Sequence, residues 1–176
     1  MTETKQRQHI ISALVTNESG VLTRISGLFA RRCYNIDSLA VCATEDDRYS
    51  RMTIVVRGDD SIVKQIVLQL GKLPDCKMTG ELDNNAVLRE LLLVKVKASP
   101  GERAEIESVC RTYEAKIVDL SPLSIVMELT GKPSKLDGFI EVLRGYEILE
   151  LSRTGLTALE RGSGVLNSDV NKTETV

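Results

Sequence analysis

The sequence has no tryptophan, one histidine, two phenylalanines and four tyrosines, so stacking platforms for nucleobases are scarce. It also lacks a charge excess. Twenty-three Lys plus Arg stand against 25 Asp plus Glu, a net charge of −2, without the basic surplus of a dedicated nucleic-acid binder. No apolar run approaches the ~20 residues of a membrane span. Met1 to Gln8 is polar and charged, with nothing of a secretory signal, so a cytoplasmic protein without membrane contact is expected. Cys33, Cys42, Cys76 and Cys110 lie far apart, with no C-x-x-C pair and His9 as the sole histidine. That spacing argues against a zinc site and against a small disulfide scaffold. Signatures of catalysis are missing too: there is no G-x-G-x-x-G, P-loop or nucleophile elbow.

What is present is an ordinary globular composition, 42 % hydrophobic and 27 % charged over 176 residues, enough for one full domain or two small ones. Periodicity favours two. His9 to Thr16 is strand-like, Asn17-Glu18-Ser19-Gly20 is a turn, and Val21, Leu22, Ile25, Leu28 and Phe29 form one helical stripe. Two strand-like runs follow, Ile36 to Thr44 and Ser50 to Arg57. Asp59 and Asp60 offer an N-cap to a helix carrying Ile62, Val63, Ile66, Val67 and Leu70, and Cys76 to Leu82 closes a βαββαβ order.

The same order then recurs. Leu91 to Lys97 is a strand, Ile106, Val109, Cys110 and Tyr113 mark a helix, and Lys116 to Leu120 and Ser124 to Thr130 flank a Ser121-Pro122-Leu123 turn. Pro133 suits the first turn of a helix with Leu136, Phe139, Ile140 and Leu143. Ile148 to Leu159, interrupted by Gly155, is the last strand region. The expected fold class is α+β, with each half a split-βαβ sandwich whose helices cover one sheet face. In the first half both sheet faces are fairly apolar, so a second layer or a second copy is expected.

Gly58-Asp59-Asp60 and Asn84-Asn85 weakly match the Gly-Asp-Gly…Asn-Asn pattern of thiamine-diphosphate enzymes. The chain is too short for the two large domains such a site needs, and Asp60 suits a helix cap. The better candidate for binding is the mouth of the first helix. A helix start leaves N–H groups unpaired and partly positive, so it accepts a carboxylate. Gly20 allows close backbone approach, and the Asn17 amide can donate to a carboxylate or accept from an ammonium group. Asn17, Gly20, Val21 and Leu22 could therefore hold the polar end of a small amino acid. Asn35, with Ile36 beside it, supplies a second amide at the helix exit, and a dimer could set it against the first turn of its partner.

The run Asn17-Glu18-Ser19-Gly20-Val21-Leu22-x-Arg24-Ile25-x-Gly27-Leu28-Phe29, continued by Tyr34-Asn35-Ile36-Asp37-Ser38-Leu39, closely resembles the regulatory small subunit of acetolactate synthase (acetohydroxyacid synthase), whose first domain is an ACT domain. Ser50-Arg51-Met52-Thr53, Arg89-Glu90-Leu91-x-Leu93-Val94-Lys95, Ser134-Lys135-Leu136-Asp137-Gly138-Phe139 and Ser152-Arg153-Thr154-Gly155 extend the similarity from about His9 to Arg161. The resemblance implies two tandem ferredoxin-like domains: an ACT domain over 8–83, a linker over 84–89, a second domain over 90–160, and an expected disordered tail over 161–176.

It further implies a non-catalytic subunit that activates the catalytic large subunit and confers feedback inhibition by valine or a related branched-chain amino acid. Thiamine diphosphate, magnesium and FAD would belong to that partner, with no cofactor or metal in this chain. In the family the effector lies between two ACT domains, at positions that are here Asn17, Gly20 and Asn35. One departure is Cys33, where the family usually has Gly; a positive φ there would cost roughly 1 kcal/mol. Another is Glu114-Ala115 in place of Arg-Gly. The alternatives are an ACT-domain amino-acid sensor for another enzyme and an RNA-binding βαββαβ module. The second needs aromatics on its central strands, which His9 to Thr16 and Ser50 to Arg57 lack.

Overall fold

The computed structural model describes residues 7–83 and 85–166. In the first unit β1 (Arg7–Thr16), α1 (Val21–Arg31), β2 (Ser38–Ala43), β3 (Tyr49–Gly58), α2 (Asp60–Gly71) and β4 (Cys76–Glu81) follow in order. The sheet order is β2-β3-β1-β4 and every neighbouring pair is antiparallel. Ile11, Ala13 and Val15 lie opposite Ile54, Met52 and Ser50. Together with Val56 this face packs against Ile25, Leu28 and Phe29 of α1 and Val63, Ile66 and Leu70 of α2. The helices sit on it because their apolar residues recur at i, i+3, i+4 and i+7. Asp59 caps α2, its carboxylate accepting from Ile62 N at 2.9 Å. That is the helix-cap role which the chance Gly-Asp-Asp match conceals.

The second unit contains β5 (Val87–Lys97), α3 (Arg103–Tyr113), β6 (Lys116–Ser121), β7 (Ser124–Gly131), α4 (Pro133–Leu143) and β8 (Ile148–Arg153). Its strands run β6-β7-β5-β8, again antiparallel. Leu92, Val94, Val96, Ile125, Met127 and Leu129 meet Ile106, Cys110, Leu136, Phe139 and Leu143 in a separate core. Pro133 opens α4, where its missing N–H would have had no helical partner. β9 (Thr157–Leu159) follows Gly155, whose φ of 80° permits the sharp break expected there.

The domain boundaries differ from expectation. One compact unit takes the described residues up to Val87 and from Leu156 on; the other is Leu88–Gly155. Residues 87–89, expected as linker, already belong to β5. Residues 156–160, expected in the second domain, return to the first. There Leu156 and Ala158 are buried, and Leu156 N donates to Ser38 Oγ at 3.1 Å. Ser38 lies opposite Val55, which with Ser12 and Thr53 is buried on the face away from the helices. Part of the expected tail is also folded: Leu166 is 9 % exposed and sits against Gly80, where a Cβ would stand 3.3 Å from it. These short apolar anchors lie between polar residues, so no period announces them. Asn84 and residues 167–176 of the expected tail lie outside the described residues.

Both units leave their first helix through a left-handed residue that is not glycine: Cys33 at φ 55° and Glu114 at φ 57°. The following N–H groups, of Tyr34 and Ala115, return to Phe29 and Cys110 O at 3.1 and 2.8 Å, closing the helix end. A Cβ in this region costs about 1–2 kcal/mol, partly offset by the freedom that glycine adds to the unfolded chain. Cys33→Gly is therefore expected to raise stability by roughly 0.5–1 kcal/mol, read from urea unfolding; a lower midpoint would show that the thiol makes a compensating contact.

Candidate functional site

The turn before α1 is held from outside. Thr16 N donates to Asp75 O at 2.9 Å and Asn17 N to Arg48 O at 2.8 Å, pinning the end of β1 between two loops. The Asn17 side chain donates through Nδ2 to Asp47 O at 3.0 Å and accepts from Ser50 Oγ at 3.1 Å. Its amide is thereby oriented, with one N–H left over. The supporting loop is itself locked: Asp46 takes Arg48 Nη2 at 2.6 Å and Arg48 N at 3.0 Å. These contacts push the Asp46 carboxyl down to about 2, the Arg48 side-chain bond first.

Gly20 is the N-cap, at φ 85° and ψ −11°, and no side chain caps the helix. The first turn also carries no acidic residue, so its N–H groups remain unneutralised donors. Val21 N makes a long 3.4 Å contact to Glu18 O. A Cβ at Gly20 would come within 3.1 Å of Arg24 Nη1. Arg24 is fixed by two bonds to Asp75, at 2.6 and 2.9 Å. Val21 is buried, whereas Leu22 keeps 49 % of its surface exposed and gives the turn an aliphatic rim.

At the other end of α1, Asn35 Nδ2 donates to Asp37 Oδ1 at 2.8 Å and Arg57 Nε to Asp37 Oδ2 at 2.7 Å. Asp37 N donates to Val55 O. Ile36 and Tyr34 are half-buried against the core, Tyr34 edge-on to Phe29 at 6.4 Å. The structure thus gathers Asn17, Gly20, Val21 and Leu22 at one end of the helix and Asn35 and Ile36 at the other. Eleven residues of α1 separate them by about 16 Å at 1.5 Å per residue. One free amino acid cannot touch both ends within one chain.

Residues not nominated from sequence complete the site: Ser50 and the 46–48 loop behind Asn17, Asp37 and Arg57 behind Asn35, and Arg24 beside Gly20. Glu45-Asp46-Asp47-Arg48 reads as a turn, but only strand register shows that it faces Asn17. A cavity of about 630 Å³ lies elsewhere in this unit, lined by Val67, Leu68, Gly80, Glu81, Arg161 and Leu166 among others. None of the six nominated residues borders it. His9 is buried, with Nδ1 2.6 Å from Glu81 and Nε2 3.3 Å from Gly58 O, a structural placement. Among the described residues no group of three or more His, Cys, Asp or Glu is placed to hold a metal, and no helix is long and apolar enough to cross a membrane.

In the second unit Arg153 ties three segments together. It donates through Nη2 to Glu90, 8 % exposed, and through Nη1 to Asp137 at 2.7 Å.

Comparison with known proteins bears on the whole chain. Residues 11–77 match the family model for the AHAS small subunit-like ACT domain, and residues 89–162 match that for the small subunit of acetolactate synthase. The probable acetolactate synthase small subunit of Archaeoglobus fulgidus is 47 % identical over 156 residues, covering 89 % of this chain and 98 % of that one. The acetolactate synthase small subunit of Mycolicibacterium smegmatis is 44 % identical, with coverage of 88 % and 91 %. The crystal structure of the small subunit from Thermotoga maritima superposes with a TM-score of 0.85 at 36 % identity, covering 90 % of this chain and 99 % of that one.

Proposed function

The chain belongs to the acetolactate synthase small-subunit family, and on that premise we propose that it binds a branched-chain amino acid between two copies of its ACT domain and thereby inhibits a catalytic large subunit which it otherwise activates. The carrying observation is the uncapped, left-handed Gly20 turn with the Asn17 amide fixed beside it. The effector carboxylate takes the N–H groups of that turn. The spare Asn17 N–H and the Asn35 amide of a second copy take the remaining carboxylate and ammonium positions. Leu22 and Ile36 supply aliphatic walls that favour valine or a close relative over longer or polar side chains.

An effector held by both amides, about 16 Å apart along α1, would need two copies, and β2 supports their pairing. It is a sheet edge with Val41 45 % exposed, and its outer backbone groups are open to another strand. In a two-fold dimer each first turn meets the partner's helix exit, giving two equivalent clefts. The cavity within the unit borders none of these residues because the cleft forms on pairing. Thiamine diphosphate, magnesium and FAD belong to the large subunit in this reading, and the complex is cytoplasmic. The test is calorimetric titration of the chain with valine, alongside pyruvate turnover by the reconstituted large subunit. Expected are saturable binding, activation by the chain and inhibition by added valine; activation without any valine response would remove the effector role.

A further inference from the structure

Helical side chains lean toward the N-terminus of their helix, so a residue one turn into α1 covers the backbone at its mouth. Arg24 does this. Its Nη1 stands 3.1 Å from the point that a Cβ on Gly20 would occupy. Gly20 therefore has two reasons to lack a side chain, its φ of 85° and the guanidinium lying against it. The N–H groups that would receive an effector carboxylate belong to this same stretch of backbone.

Asp75 aims the guanidinium. Arg24 Nε donates to Asp75 Oδ2 at 2.6 Å and Nη2 to Oδ1 at 2.9 Å, a two-pronged contact along one side of the fork. Asp75 is itself tied to the end of β1, its backbone O accepting from Thr16 N at 2.9 Å. Its side chain is only 13 % exposed. The bond from Arg24 holds its carboxyl below the ordinary value, so the pair stays ionised at neutral pH. A guanidinium carries five N–H groups. Two serve Asp75, and among the described residues Nη1 makes no hydrogen bond, which leaves both of its N–H groups to donate. Glu18, whose charge also reaches Arg24, joins Asp75 in bringing negative charge to this end of α1. An anionic ligand arriving here needs the guanidinium to offset it.

We propose that Arg24 Nη1 donates to the α-carboxylate of the bound amino acid, and that Asp75 is the positioning residue which points it there. This rests on the effector reading of the first unit and adds to it the side chain that reads the carboxylate as a charge. Backbone N–H groups donate to a neutral carbonyl as well as to a carboxylate. A guanidinium discriminates, because the opposite charge of a carboxylate strengthens its bonds and a neutral amide oxygen lacks that charge. Arg24 thus makes the cleft a site for free α-amino acids and sets aside their amides.

The test is calorimetric titration of the full chain with valine and, by competition, with valinamide, which keeps the ammonium group and the side chain but has no carboxylate. Asp75→Asn is compared with Asp75→Asn combined with Arg24→Met. The combination leaves no stranded carboxylate, and the single variant controls for the lost brace between Asp75 and α1. Valine affinity of the combined variant is expected to fall about 10- to 100-fold below that of Asp75→Asn, the range of a hydrogen bond to a charged group. Valinamide should bind the two alike. Equal valine affinities, or a loss for valinamide that parallels the loss for valine, would reduce Arg24 to a brace of the turn and overturn the proposal. An unmodified chain that binds no valine would sink the effector reading itself, whereas valine bound equally by all three proteins removes Arg24 alone.

Discussion

Asn17→Ala is expected to lower valine affinity roughly 10- to 100-fold while the chain still folds and still activates its large subunit. The side chain contributes a hydrogen bond to a charged group, worth about 1.5–3 kcal/mol. Its structural duties are small: one exposed bond to Asp47 O and one half-buried bond from Ser50 Oγ. The backbone bond from Asn17 N to Arg48 O survives the substitution. Ser50→Ala separates positioning from contact. It frees the amide to rotate without removing it, so a loss of less than about 10-fold is expected. Calorimetry on both variants decides: equal losses would mean that Asn17 acts only through its bond with Ser50, and an unchanged affinity in Asn17→Ala would remove the residue from the site.

The largest expected effect on stability is at Arg153. Removing one partner of a buried ion pair leaves an uncompensated charge, at a cost of about 3–5 kcal/mol. The Arg153 side chain is 28 % exposed and that of Glu90 8 %, so Arg153→Met belongs at the lower end, about 3 kcal/mol. Arg153 lies opposite Leu92, and the neighbouring Thr154 and Leu91 exchange bonds at 3.1 Å. The damage should therefore appear as loss of hydrogen-exchange protection in β5 and β8, with the first unit's core little changed. Replacing Glu90 by Leu in the same chain removes the stranded carboxylate and should recover most of the loss. A cost under about 1 kcal/mol for the single variant would show that water reaches Glu90.

The fold was legible because both halves keep their periods. The helix stripes fell where predicted except at Leu22, which lies off the buried face of α1, and Pro133 and Asp59 marked helix starts through their own chemistry. Ile36 and Asp37 read as the opening of a strand, yet β2 begins at Ser38; the Asn35–Asp37 bond ties that stretch locally, and no alternation of apolar residues reports it. The positive φ at Cys33 was legible as a departure from glycine, and Glu114 stands at the matching exit of the second unit. The return of Leu156 to Leu166 was not legible, since isolated apolar residues among polar ones carry no period. Arg89-Glu90-Leu91, Ser134 to Phe139 and Ser152 to Gly155 could be recognised as strings, but the bonds of Arg153 to Glu90 and Asp137 that join them cross three segments which pattern alone does not connect. The same holds at the site: Asn17 and Gly20 were visible in the turn, whereas Ser50, Asp46 and Arg48 reach them only through strand pairing.

Subunit mixing most directly tests whether the effector is held by two copies at once. Asn17→Ala and Asn35→Ala chains are each expected to form dimers in which both clefts are damaged. After exchange of subunits, a mixed dimer carries both lesions in one cleft and none in the other. Calorimetry on an equimolar mixture should then recover about a quarter of all clefts at full valine affinity, as two-fold symmetry and random exchange require. No recovery, with exchange verified by mass spectrometry of tagged chains, would place both amides in the same chain's site or outside any site, and would contradict the account.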